Sequence, residues 1–134
     1  MTLDRALEHL LPGPRDTLLL QSLLLQGDGA RDAWHRWSDG VDVMQALGAD
    51  PIVARPMLPL LYDSVRRNTL PVTRETATFL RSAYLRESLR SKVYFEVADE
   101  LAAALGNGGV ALRLVKGAAM ARQFYAEPAL RHAH

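Results

Sequence analysis

Few side chains in this sequence are of types that do chemistry, and their spacing narrows the choice further. There is no cysteine among the 134 residues, which removes a thiol nucleophile, a disulfide framework and any Cys-held zinc or iron–sulfur centre. No Ser, His and Asp follow one another in an order that suggests a hydrolytic triad, and no pair of carboxylates stands out for acid–base work. Lys116 is different. It is one of two lysines in the chain, it directly follows the apolar run Val110-Ala111-Leu112-Arg113-Leu114-Val115, and Gly117 follows it. A strand that passes through Lys-Gly into a helix sets an ammonium and free backbone N–H groups at a helix start, which is an arrangement for binding an anion such as a phosphate. A solvated lysine at a strand end has the same spacing, so the pattern leaves both readings open. It is not a P-loop, which needs two spaced glycines ahead of Gly-Lys-Ser/Thr; Gly106 to Gly109 precede the run and read as a helix stop.

A second group lies mid-helix. Glu87, Arg90 and Ser91 stand at i, i+3 and i+4, so all three can meet on one helix face. They interrupt an otherwise apolar stripe of Leu80, Ala83, Tyr84, Tyr94, Ala98, Leu101 and Leu105. Charges on such a face are costly unless paired or wet. The group is therefore either a self-satisfied ion pair in a widened gap between helices or a polar patch facing a ligand cleft. Trp34 and Trp37, at i, i+3, can stack a base or fill a core. His132 and His134 could hold a metal weakly or form an irregular end, and Tyr125 could bond a ligand or pack its ring.

The elements that position these residues are mostly helical. Residues 3–11 read as a short helix stopped by Pro12-Gly13-Pro14. Asp16 can cap the next, which carries the Leu18–Leu25 run to about Gln26 and reads as buried. Gly27-Asp28-Gly29 breaks it. Ala30 to Ser38 forms a third helix, Asp42 caps a short one to Leu47, and Asp50-Pro51 fits an N-cap and first turn. Pro56 and Pro59 disturb the next helix, since proline lacks the N–H and clashes with the preceding turn; Arg66 and Arg67 sit at its end, where cations suit the dipole. Thr73 to Leu105 is the longest helix. Then come the 110–115 strand, the Lys116-Gly117 turn and a helix from Ala118 to Tyr125. A lone strand leaves backbone groups without partners. Only Leu70-Pro71-Val72 offers a match, so the chain either continues beyond residue 134 or completes the strand with another chain.

Composition agrees with a folded, water-soluble chain: 49% hydrophobic, 23% charged, net charge +1. The near-neutral charge disfavours nucleic acid as a partner. The greasiest run is too short for the ~20 apolar residues of a membrane span, and Asp4 and Glu8 stand where a signal peptide carries positive charge. The expected location is the cytoplasm, with no membrane partner.

Three segments together carry a resemblance: Leu58-Pro59-Leu60-Leu61-Tyr62; Ala83-Tyr84-Leu85-Arg86 on the long helix; and Leu112 to Met120 followed by Tyr125-Ala126-Glu127-Pro128-Ala129-Leu130-Arg131. They resemble the uncharacterised nucleotidyltransferase family of bacteria, over about Trp34 to Arg131. The resemblance implies an α+β protein: a helical N-terminal region over 1–105 with one long helix, then from 106–134 the first strand–turn–helix of a polymerase-β-type sheet. It implies transfer of a nucleotidyl group from a nucleoside triphosphate to an acceptor that the sequence does not identify. Lys116, Gly117 and Arg131 fall on the nucleotide side of that site. An Asp-x-Asp pair would hold the metal ions, Mg2+ in the longer protein. This chain departs from the pattern there: after Glu127 it has no carboxylate at all. It therefore has no catalytic residue and no metal ligand of its own, and the chain as given is expected to be inactive. The rival expectation is a non-enzymatic helical interaction module that completes its strand with a partner chain.

Overall fold

The computed structural model describes residues 11–49 and 55–131. The expected helix over 3–11, all but its last residue, the Asp50-Pro51 start and the two terminal histidines lie outside these residues. The described chain is mostly helical: α1 Pro14–Leu24, α2 Asp28–Ser38, α3 Val43–Ala49, α4 Leu58–Asn68, α5 Arg74–Asn107 and α6 Lys116–Phe124, with single 3-10 turns at Arg55–Met57 and Pro128–Leu130. Helices α1 and α2 pack on each other, α4 lies against both, and α5 packs on α4.

Local chemistry sets the boundaries. Asp16 does not cap α1 from outside; it sits in the first turn, and its carboxylate accepts the Gly13 N–H at 3.2 Å, reaching back as an acidic residue at N3 can. Asp42 does cap α3, with Oδ1 accepting the Gln45 N–H at 3.0 Å. Pro59 falls in the first turn of α4, where its missing N–H costs nothing, and Pro56 lies in the 3-10 turn before it. The Thr73 side chain accepts the Thr76 N–H at 3.1 Å to start α5.

The C-terminus of α1 has no glycine to close it, and its last carbonyls need donors. Helix α4 supplies them. Ser64, Arg67 and Asn68, at i, i+3 and i+4, share one face of α4. The Ser64 hydroxyl donates to the Ser22 carbonyl, Arg67 to Leu23 at 3.2 Å and Asn68 Nδ2 to Leu25 at 3.4 Å. Asn68 Oδ1 also accepts the Gly27 N–H at 2.9 Å, holding the link where Gly27 takes φ 63°.

The main core gathers Leu23, Ala30, Trp34, Trp37, Leu47, Leu58, Leu61, Leu70, Leu80 and Ala83. The leucine run is only half inside: Leu23 is buried, Leu18 to Leu20 pack against the core, and Leu24 and Leu25 face solvent. Trp34 and Trp37 settle as core residues, with ring centroids 5.2 Å apart and stacked.

Two expectations are corrected. Segment 110–115 is not a strand, and no strand occurs among the described residues. Val110 N–H bonds back to Leu105 O at 2.9 Å as part of the helix end, and Val110, Leu112 and Val115 are exposed. An apolar run becomes a strand only when a neighbouring ladder takes its N–H and C=O groups; none is present, and 70–72 is engaged elsewhere, its Pro71 carbonyl accepting the Trp34 indole N–H at 2.8 Å. The second correction concerns α5. Its buried line is Thr76, Leu80, Ala83, Glu87, Ser91 and Phe95, while Tyr94 and Leu101, expected on the inner face, are exposed. The line advances by nearly four residues per turn, so it drifts round the helix and reaches Phe95 rather than Tyr94. At 34 residues α5 is ~51 Å long, and its final turns outrun the core.

Candidate functional site

Segment 116–131 folds back against the middle of α5. Phe95 of α5 packs with Ala118 and Ala121 of α6, and Leu114 joins them. Two polar contacts fix the arrangement. Arg122 makes a two-pronged bond to Asp99 at 2.6 and 2.7 Å while its guanidinium lies 5.1 Å from the Phe95 ring centroid. The Tyr84 hydroxyl donates to the Glu127 carboxylate. Hydrogen bonding to Arg122 holds the Asp99 carboxyl below its ordinary range. The bond to Glu127 holds the Tyr84 phenol above its ordinary value of 10.0, with burial and the nearby Glu127 charge acting the same way.

Lys116 is the first residue of α6 and is exposed; Gly117 is partly covered. The expected turn at Lys116-Gly117 is thus the helix start itself. Lys116 takes φ 53°, the left-handed region that costs a residue with a side chain about 1–3 kcal/mol. The first N–H groups of α6 have no intrahelical partners. Arg131 stands partly buried at the other end of the segment, its guanidinium 6.0 Å from the Tyr125 ring centroid and its Nε buried with no hydrogen-bond partner. These residues therefore flank α6 and the 3-10 turn.

Glu87, Arg90 and Ser91 do not form one patch. Glu87 and Ser91 are buried, whereas Arg90 points to solvent, because the drift of the buried line carries position 90 out of it. Glu87 and Arg90 both have partners. Glu87 lines a cleft of about 480 Å³ with Arg55, Phe79 and Arg86. Ser91, whose hydroxyl is buried and without a hydrogen-bond partner, lines a different cleft of about 400 Å³ with Lys92, Phe95, Asp99, Arg122 and Glu127. Lys116, Gly117 and Arg131 line neither.

The second cleft was not legible in the sequence. Its walls, Ser91 to Asp99 on one side and Arg122 to Ala129 on the other, are brought together only by the fold, and no local spacing joins Asp99 to Arg122.

Among the described residues no three His, Asp or Glu side chains stand where they could hold a metal, and Glu127, the last carboxylate of the sequence, is taken by Tyr84. Nor is any helix among them long and apolar enough to cross a membrane.

No family profile matches the chain, and searches of curated proteins and of solved structures return no match.

The Tyr84–Glu127 contact gives a pH signature. A phenol whose folded value is raised contributes stability below its unfolded value, and that contribution is lost as pH rises through the folded value. In an alkaline titration followed by phenolate absorbance, Tyr84 gives a late step above the ordinary phenol value. Tyr84→Phe removes the late step, and Glu127→Gln moves it to lower pH. A late step that survives Tyr84→Phe assigns it elsewhere and dissolves the contact.

Proposed function

We propose that this chain is the helical N-terminal portion of a nucleotidyltransferase-family protein, a protein that transfers a nucleotidyl group from a nucleoside triphosphate to an acceptor. On this reading residues 106–134 open the catalytic domain, and Lys116, the free N–H groups of the first turn of α6 and Arg131 face the triphosphate. The observation that carries the reading is the sequence of Leu112 to Arg131, with its Lys116-Gly117 step at the start of a helix. Metal-held carboxylates would supply the chemistry of transfer in such a protein; this chain does not contain them. What its own residues contribute is positive charge and oriented N–H donors for phosphate oxygens. The exposed Val110, Leu112, Val115, Met120 and Phe124 then form the side on which the rest of the catalytic sheet packs.

The test is calorimetric titration of a nucleoside triphosphate into the chain and into Lys116 variants. Lys116→Ala is expected to weaken binding by roughly 1.5–3 kcal/mol, the range for a hydrogen bond to a charged group. Lys116→Gly is expected to weaken it equally while leaving stability unchanged or slightly raised, because glycine accepts the left-handed backbone at no steric cost. Equal nucleotide affinity in all three proteins returns Lys116 to the solvated surface and removes the support for the reading.

A second reading, a non-enzymatic interaction module, is favoured by one observation. Apart from Leu114, which packs with Phe95, segment 110–115 is exposed, apolar but for Arg113, and without a ladder among the described residues, so its backbone can add to the edge of a partner's sheet. Under this reading Lys116 is indifferent to nucleotide, and the same titration separates the two.

A further inference from the structure

From its middle turns onward, α5 carries large apolar side chains on its solvent side. Leu85, Leu89, Val93, Val97 and Leu101 are all exposed, with Leu89 at 67%, Val93 at 59% and Val97 at 58%. Their four-residue spacing makes one continuous ridge of the i±4 kind. Helical periodicity turns Leu85, Leu89 and Val93 away from the side of α5 that carries Leu80 into the main core, and turns Val93 and Val97 away from Phe95, which packs on α6. Neither α4 nor α6 covers it. A catalytic body continuing from α6 would begin on the other side of the helix, so the ridge does not depend on the reading given above.

We infer that the ridge is the contact between two copies of this chain, their α5 helices crossing in antiparallel sense about a two-fold axis at Val93. The first reason is symmetry. Leu85 and Leu101 lie equally far from Val93, as do Leu89 and Val97, so a dyad at Val93 sets apolar on apolar along the whole ridge. Such self-complementarity is what an isologous contact requires. The second reason is charge. One flank of the ridge holds Arg86, Arg90 and Tyr94; the other holds Lys92, Glu96 and Glu100. An antiparallel dyad faces each flank with its own reverse. Lys92 then meets the partner's Glu96, and Arg90 meets the ring of the partner's Tyr94, a favourable cation–π pairing. A parallel dyad faces unlike flanks and sets Arg90 against the partner's Lys92. Lys92 and Glu96 are available for this: they approach each other within one chain at 3.9 Å, but both stay largely in solvent, at 72% and 58% exposure. Packing of two i±4 ridges crosses the helices at about −50°. The ridge is only ~24 Å long at 1.5 Å per residue and about one helix diameter, ~10 Å, wide; that strip of ~240 Å² is well under the ~800 Å² per partner of a standard interface, so the association is weak and concentration-dependent.

Sedimentation of the chain from micromolar to millimolar concentration is expected to show a monomer–dimer equilibrium. Val93→Glu raises the dissociation constant about 100-fold, since the dyad sets two carboxylates against each other in an apolar contact. Its circular dichroism stays that of the parent, because Val93 lies outside both core clusters. Leu24→Glu, at an equally exposed apolar position on α1, leaves the equilibrium unchanged. Lys92→Glu weakens the dimer, and adding Glu96→Lys restores it. The chain has no native cysteine, so Val93→Cys with a mild added oxidant gives a disulfide-linked dimer, while Leu85→Cys, which faces the partner's Leu101, does not. A chain that stays monomeric throughout, or a dimer that Val93→Glu leaves intact, overturns the proposal. A dimer in which Val93→Cys fails to cross-link overturns the antiparallel register.

Discussion

Replacing Trp34 by alanine is expected to destabilise the fold by about 3–5 kcal/mol, the range for truncating a buried aromatic residue. The side chain is 1% exposed. It stacks on Trp37 at 5.2 Å, and its indole N–H donates to the Pro71 carbonyl at 2.8 Å. The truncation therefore opens a cavity among α1, α2 and α4 and orphans a carbonyl in the link that leads into α5. Trp34→Phe separates the two contributions. It keeps most of the apolar volume and loses the hydrogen bond, so it is expected to cost about 1–3 kcal/mol, part of it the unmet Pro71 carbonyl. Urea unfolding followed by far-UV circular dichroism measures both. Against a total stability of order 5–15 kcal/mol, Trp34→Ala brings the chain close to unfolding at ordinary temperature. A loss below about 1 kcal/mol contradicts the placement of Trp34 at the centre of the core.

The second large effect is expected at Asn68. It is 3% exposed, and its amide joins three elements: Oδ1 accepts from Gly27 N–H at 2.9 Å, and Nδ2 donates to Ser64 Oγ at 3.0 Å and to Leu25 O at 3.4 Å. Asn68→Ala leaves the Gly27 N–H and the Leu25 carbonyl without their partners. The Leu25 carbonyl lies at an exposed residue and can turn to water, so the cost falls mainly on the Gly27 N–H and the Ser64 hydroxyl, and at about 1–3 kcal/mol for a group left unsatisfied a net loss of about 2 kcal/mol follows. Ser64→Ala is expected to cost less, about 1–2 kcal/mol, because it removes a donor to one carbonyl and one acceptor. Since Ser64 and Asn68 touch, the double variant costs less than the two single losses combined. Denaturant unfolding of the four proteins gives the coupling directly. Strict additivity would mean that the two side chains act independently and that the α1 C-terminus is closed by something else.

The helices themselves are written in local chemistry. Glycines 27 and 106 to 109 and the cap at Asp42 act within a few residues of themselves, so their effect is readable from spacing alone; Pro59 reads instead as a disturbance within a helix, and only the structure puts it in a first turn. So is the pairing of Trp34 with Trp37, because i, i+3 on a helix is a fixed direction. The place of Lys116 and Gly117 after an apolar run was legible in the same way, as the approach to a helix start.

Other features depended on partners far along the chain. Whether Val110 to Val115 becomes a strand rests on a neighbouring ladder, which no sequence pattern within the run can supply; here none is present, and the segment stays irregular. Whether Glu87, Arg90 and Ser91 form one patch rests on how the α5 seam drifts, and that is set by the packing of α4 on one stretch and α6 on the next. The leucine run in α1 reads as buried on hydropathy, yet Leu24 and Leu25 face solvent because α2 and α4 cover only one side. The closure of α1 by Ser64, Arg67 and Asn68, and the cleft between Ser91 and Glu127, join residues that only the tertiary structure brings within bonding distance. Short-range hydrogen bonds and steric preferences determined the elements; the burial of one face against another decided which of their side chains meet.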